Sequence, residues 1–311
     1  MLASAKRICQ SGVFSLEGFI LLSFLIFSSG CEKDDRLYTD DVRTIEITKD
    51  IRIDNGFKIN DPVHNFQTFE KFLKYLASSD RFLIVPQKDF AKTTSENKVI
   101  LSLRYDIDNN INAAVKFAYR EHKYGIKSTF YILHTAKYYG KTAIDYFKRN
   151  DEIIYYFKKI QDSFEHEIGF HNNLVTLQVV YGINPKIFLA DQLKWLRDNG
   201  ISVSGTCAHG SPYCYIYHYV NSYFWKGFKN YEGNFYNYEY VTIRNVPIKI
   251  EKDELANYNL EYNADLLRPD YFFSDINPLP NGEKWHMGLV NFDTIRPGKK
   301  VIILLHPEKW D

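Results

Sequence analysis

The sequence predicts an α/β fold with a parallel sheet, arranged as a barrel or distorted barrel. Three observations carry this. Apolar strand-like runs alternate with helix-like runs from about residue 66 to the end. Helix stop and start signals fall between them. Asp and His residues recur just after the strands, where parallel α/β folds gather their chemistry. The chain has 311 residues and 45% hydrophobic residues, enough for one large core.

The elements follow in order. Phe66, Phe69, Phe72, Leu73 and Leu76 recur at helical spacing. "VILSLRY" (99–105) reads as a buried strand. "NINAAVKFAYREHKYG" reads as a helix stopped by Gly125. "KSTFYIL" is a second strand. "DEIIYYFKKIQDSF" is a helix with Ile153, Ile154, Phe157 and Ile160 on one face. "HEIGF" is a short strand. "NPKIFLADQLKWLRDNG" is a helix with Asn184 as cap, Pro185 in the first turn and Gly200 at the end. "ISVSGTCA" follows as a strand. Residues 211–265 are Tyr-rich and irregular, with "VTIRNVPIKI" as their clearest strand. "YFF" (271–273) and "KVIILL" (300–305) are the last two strands.

Charge excludes some partners. Lys and Arg number 39 against 38 Asp and Glu, so no basic excess points to nucleic acid. Aromatic residues reach 16%, which suits core filling and, where a cleft exposes them, a sugar groove.

The N-terminus reads as an export signal. Lys6 and Arg7 precede "FILLSFLIF" (19–27) and then "SSGC". Nine apolar-dominated residues fit the h-region of a signal peptide and are too few for a mature bilayer span. The stretch resembles a bacterial lipoprotein signal in which cleavage exposes Cys31 for lipidation; Ser28 departs from the usual Leu. "CEKDD" (31–35) resembles the surface-export signal of Bacteroidetes lipoproteins. The expected organisation is a signal peptide over 1–30, a tether over 31–62 and a catalytic domain over 63–311. The expected location is the cell envelope, lipid-anchored, including the outer-membrane surface. Cys9 leaves with the signal, so Cys207 and Cys214 remain, either as a disulfide or as two buried thiols.

The polar residues at strand ends define a candidate site. Asp106 and Asp108 follow the first strand, His171 follows "HEIGF", His209 follows "ISVSGTCA", Asp275 follows "YFFS" and His306 follows "VIILL". Five strand ends thus bring three Asp and three His towards one cleft. Carboxylates and imidazoles are the usual ligands of a catalytic divalent metal. Singly, each has a plainer use: Asp108 could cap the next helix, and a His at a strand end often only forms hydrogen bonds. His134 also follows a strand, so the pattern does not pick its members cleanly.

At these residues the chain resembles the polysaccharide deacetylase family (NodB-homology, carbohydrate esterase family 4) over roughly 63–311. "RYDID" is similar to that family's Asp-x-Asp motif in a branch with an Arg-His-Asp-Val-Asp form, with Tyr105 in the His place. "EHEIGFH" (165–171) resembles its metal-binding motif, and "IILLHPEKW" its Leu-x-x-His strand end. "YFFSDINPLPNGEKW" resembles the stretch carrying an Asp and a Trp, here Asp275 and Trp285.

The resemblance implies a distorted (β/α) barrel of the NodB type and a metal-dependent deacetylase acting on N-acetyl or O-acetyl groups of a carbohydrate. It makes Asp106 the general base, Asp108 and His171 metal ligands and His306 the general acid. Asp275, Arg104 and His166 become supporting residues, and the metal is expected to be zinc. Two departures stand out. The family's second metal His falls at Val175, and its Arg-Pro-Tyr motif is replaced by "AHGSPY" (208–213), whose His209 is expected to supply the missing ligand. Two other functions share these residues: a non-catalytic carbohydrate-binding lipoprotein, and a metal-dependent amidase or esterase.

Overall fold

The computed structural model describes residues 66–228, 239–276 and 291–310. The export signal, Cys31, the tether and Trp285 lie outside the described residues. Among the described residues, no helix is long and apolar enough to cross a membrane.

The fold is α/β, with a curled parallel half-barrel sheet. Its strands are β1 (Phe82–Ile84), β2 (Val99–Ile107), β3 (Thr129–Leu133), β6 (Glu167–Asn172), β7 (Val203–Ala208), β10 (Tyr262–Asn263), β11 (Tyr271–Ser274) and β12 (Lys300–Leu305). The order is β10-β7-β6-β3-β2-β12-β11, with β1 beside the first residues of β2. Two antiparallel hairpins stand apart, β4 (Gly140–Ala143) with β5 (Tyr146–Arg149), and β8 (Tyr240–Ile243) with β9 (Val246–Lys249). Among the described residues the sheet is a half-barrel, compatible with the expected distorted barrel.

The long helices cover the outside. They are α1 (Phe66–Ser78), α3 (Ile111–Lys123), α5 (Leu174–Tyr181) and α6 (Pro185–Asp198); α2 (Gln87–Phe90), α4 (Ile154–Lys158) and α7 (Pro212–Tyr217) are short. Every residue of β2 is buried, as expected for a central parallel strand covered on both faces. Side chains alternate along it. Tyr105 faces the helices, stacking on Phe130 with 4.4 Å between centroids and lying 5.3 Å from Phe117. Phe69 of α1 closes on Phe117 at 4.4 Å. Arg104 and Asp106 therefore face the inner side.

The inner face is shaped by two close approaches. A Cβ on Gly169 would lie 2.3 Å from the Tyr131 ring, and one on Gly205 would lie 2.1 Å from the Tyr262 ring. Both glycines let a tyrosine cross the interior, where Tyr131 and Tyr262 meet hydroxyl to hydroxyl at 3.0 Å.

Several expected elements differ. "VTIRNVPIKI" is a hairpin, because Arg244 and Asn245 both take positive φ and turn the chain as a two-residue loop. The helix expected over "DEIIYYFKKIQDSF" is broken: a 3-10 turn over Asp151–Ile153, α4, then a π turn over Lys159–Ser163. α5 was not legible by periodicity because "LVTLQVVY" is apolar nearly all round, with five of its eight residues buried. Cys207 and Cys214 are both free and buried, which settles the choice between thiols and a disulfide.

Candidate metal centre

Parallel pairing brings the strand ends together. β2, β3, β6 and β7 run in register with Asp106 beside Tyr131, Leu133 beside His171, and His171 beside Cys207. Asp108 lies just past β2. It does not cap α3: Asn110 does, its side chain accepting the amide of Ala113 at 3.1 Å. That leaves the Asp108 carboxylate for the inner face. His209 follows β7, its amide bonded to the Asn172 carbonyl at 2.8 Å.

Three donor atoms converge. His171 Nε2 lies 3.4 Å from Asp108 Oδ1. His209 Nδ1 lies 3.3 Å from the same oxygen and 3.3 Å from His171 Nε2. A tetrahedral ion with ligand bonds of roughly 2.0–2.1 Å keeps its ligand atoms about 3.3–3.4 Å apart. The triangle has that size. Asp108 Oδ1 is buried and has no hydrogen-bond partner among the described residues, which suits a ligand atom. The group can hold a metal ion.

Electrostatics favour a cation here. Burial alone would push the Asp108 carboxyl up, but His171 and His209 hold it far below the usual carboxylate range. Burial opposes charge on His171 too, yet Asp106 and Asp108 raise it above the ordinary histidine value. The negative field that favours a proton on this imidazole also favours a divalent ion on its lone pair.

Asp106 is held differently. Arg104 donates to both its oxygens, Nε to Oδ1 and Nη2 to Oδ2, each at 2.8 Å. His171 Nε2 stands 3.4 Å from Oδ2. Burial raises the Asp106 carboxyl, but Arg104 and then His171 bring it below its ordinary value. Both residues are buried, so this bidentate pair fixes the carboxylate firmly.

A second dyad borders the cluster. His306 Nδ1 lies 2.6 Å from Asp275 Oδ1, and the His306 amide donates to Asp275 Oδ2 at 2.7 Å. Burial lowers His306, but Asp275, with Asp106 and Asp108 nearby, raises it overall. Asp275 thus contacts His306, while Arg104 pairs with Asp106.

His166 is not brought to this cluster. It sits before β6, and its bonds run to the amide of Ser128 at 3.1 Å and the carbonyl of Ala118 at 2.9 Å. Its expected supporting role is corrected: it closes a buried network with Glu121 and Ser128. Val175 is fully buried in α5, and the site lacks a histidine from that helix. His134 accepts the Asn173 amide at 2.9 Å and stacks on Phe170, a structural use.

Three site neighbours escaped sequence reasoning. Cys207 places its sulfur 3.0 Å from His171 Nδ1. Its signal was the alternation of β7, which puts Gly205 and Cys207 on the inner face. Trp310 donates to Asp275 Oδ2 at 3.2 Å. Here the 3-10 turn Pro307–Lys309 carries Trp310 back towards His306. Asp265 is half-buried and accepts the Ala208 amide at 3.0 Å and the Ser222 hydroxyl at 2.5 Å, bracing the approach to His209. Nothing in the sequence marked it.

A second possible metal group, Asp106 with His171 and Cys207, has a poorer case. Arg104 already neutralises Asp106, and burial raises the Cys207 thiol well above its ordinary value, which keeps it protonated. Compared with family models, curated proteins and solved structures, the chain finds no match.

Proposed function

We propose that the protein is a metal-dependent deacetylase of the polysaccharide deacetylase kind, with a NodB-type fold. It removes N-acetyl or O-acetyl groups from a carbohydrate and is anchored in a bacterial cell envelope through Cys31. The observation that carries this reading is the Asp108–His171–His209 triangle, flanked by the Arg104–Asp106 pair and the Asp275–His306 dyad.

Two imidazoles and one carboxylate make zinc the ion we assign. Bound there, zinc would polarise the acyl carbonyl and acidify a water. Arg104 keeps Asp106 in the carboxylate form and aims it, so Asp106 serves as the proton acceptor for the attacking water. Asp275 fixes His306 in ring orientation and favours its protonated form, so His306 serves as the donor to the leaving amine or alcohol. The two groups are biased to opposite protonation states, as acid and base must be.

The test uses the detergent-solubilised full chain loaded with zinc, and follows acetate release from acetylated amino-sugar polymers. Asp106→Asn should bind metal as the wild type does and lose activity by about 10²–10⁴-fold. Full activity in Asp106→Asn removes it as the base. Release from acylated peptides or simple esters, with none from sugars, selects the amidase or esterase reading.

One feature favours a non-catalytic carbohydrate-binding role on the same fold. Tyr215 is 72% exposed and lines a cavity of about 220 Å³ bordered by His209, a flat face for a sugar ring. Sugar binding with metal uptake and no acetate release would select it.

A further inference from the structure

His171 has two ring nitrogens, and only one faces the triangle. With Nε2 given to a metal, a neutral imidazole must carry its proton on Nδ1. Metal-bound histidines usually pass that proton to a carboxylate or a backbone carbonyl, which sets tautomer and ring angle. Nδ1 here has two acceptors from one residue: the Cys207 carbonyl at 3.3 Å and, closer, the Cys207 sulfur at 3.0 Å.

The sulfur is completely buried, and the neutral thiol is the ordinary form of cysteine near neutral pH. Its own proton has an outlet, since Sγ lies 3.9 Å from Asp106 Oδ1, within the longer reach of sulfur. A chain therefore runs from Nδ1–H of His171 to Cys207 Sγ, and from the Cys207 thiol to the Asp106 carboxylate. Arg104 anchors its far end. The reverse direction, thiol donating to Nδ1, would leave the proton on Nε2 and close the triangle to an ion.

We propose that Cys207 is a positioning residue for the metal centre: its thiol accepts the His171 Nδ1 proton, fixes the metal-binding tautomer and couples that ligand to Asp106. This rests on the metal-ligand reading of Asp108, His171 and His209. It does not make Cys207 a ligand.

Two variants separate this role from packing. Cys207→Val keeps an apolar side chain of similar size and removes both hydrogen bonds. Cys207→Ser keeps a donor and an acceptor. The measurement is zinc affinity of the full chain, by competition with a chromophoric chelator, with thermal melting of the metal-free protein alongside. We expect Cys207→Val to lose about 10–100-fold in zinc affinity, the usual effect of removing an outer partner of a ligand histidine. Cys207→Ser should stay within about threefold. A packing role reverses the order, because a buried hydroxyl is tolerated worse than a methyl. Cys207→Val binding zinc as tightly as the wild type overturns the inference and leaves the metal site standing. A wild type that takes up no zinc overturns both. Should Cys207→Val fail to fold, Cys207→Ala gives the same reading, with loss expected and retention overturning.

Discussion

One histidine stands just before β6 and one near its end, and the two have opposite fates. His166 precedes the strand and His171 stands near its close, about 16 Å further along at the strand rise. Each meets at least one carboxylate in the interior. At His166 there is one, Glu121, and every group finds a neutral partner. Tyr105 donates to Glu121 at 2.5 Å, Ser128 bonds Glu121, and Ser128 lies 3.1 Å from His166 Nδ1. Burial lowers His166 to about 4 and raises Glu121 to about 8, so both are neutral near neutral pH. At His171 there are two carboxylates, Asp106 and Asp108, and only one has an arginine. The excess charge keeps the site ionic. Two residues of the same type, five apart, thus serve a structural network and a candidate metal centre; the count of unpaired carboxylates decides which.

The sharpest way to break this comparison is to remove each histidine in turn. His171→Ala should reduce zinc affinity by more than about 100-fold, beyond what an outer partner supplies. His166→Ala should leave zinc affinity within about twofold. It should instead destabilise the fold by about 3 kcal/mol, since Ser128 N–H and the Ala118 carbonyl lose buried partners. Equal metal loss in both variants would end the distinction. The same titration on His209→Ala tests the ligand that stands in for Val175.

A smaller effect is expected at the Asp275–His306 dyad. Asp275 accepts from the His306 amide, the His306 ring and Trp310, so it needs both oxygens. Asp275→Asn turns one acceptor into a donor facing donors. Acetate release should fall about 100-fold, the lower range for acid–base catalysis, with zinc content unchanged. Lost zinc would place Asp275 in the metal centre instead.

Much of this was legible in the sequence, for identifiable reasons. β2, β3 and β12 are largely apolar runs because both their faces are covered, and such runs show without tertiary knowledge. Asp106, Asp108, His171, His209, Asp275 and His306 were visible because parallel topology fixes where strand ends lie. Direction within the site was not. Alternation along β2 puts Arg104 and Asp106 on one face, but the bidentate grip between them depends on rotamers, which spacing does not encode. His166 looked like part of the same motif as His171, yet it lies before the strand and faces another network. Cys207 was hidden because its role comes from register, with His171 beside it in the neighbouring strand.

The smallest effect is a pH dependence confined to the neutral network. Glu121 is raised from 4.5 to about 8, so its contribution is full below 4.5 and is lost as pH rises towards 8. His166 is lowered from 6.5 to about 4, so its contribution is full above 6.5 and is lost as pH falls towards 4. Between 4.5 and 6.5 the two slopes cancel, and stability is flat. From 6.5 to 8 only the Glu121 slope remains, at most about 1.4 kcal/mol per pH unit or about 2 kcal/mol in all. Glu121→Gln keeps an acceptor for Tyr105 and a donor for Ser128 while removing the charge. Urea melts of the metal-free protein should therefore lose the decline between pH 6.5 and 8 and gain a rise between pH 4.5 and 6.5, where the His166 slope is no longer cancelled. A decline that persists in Glu121→Gln would mean that Glu121 is already ionised, and the two histidine environments would differ in degree rather than in kind.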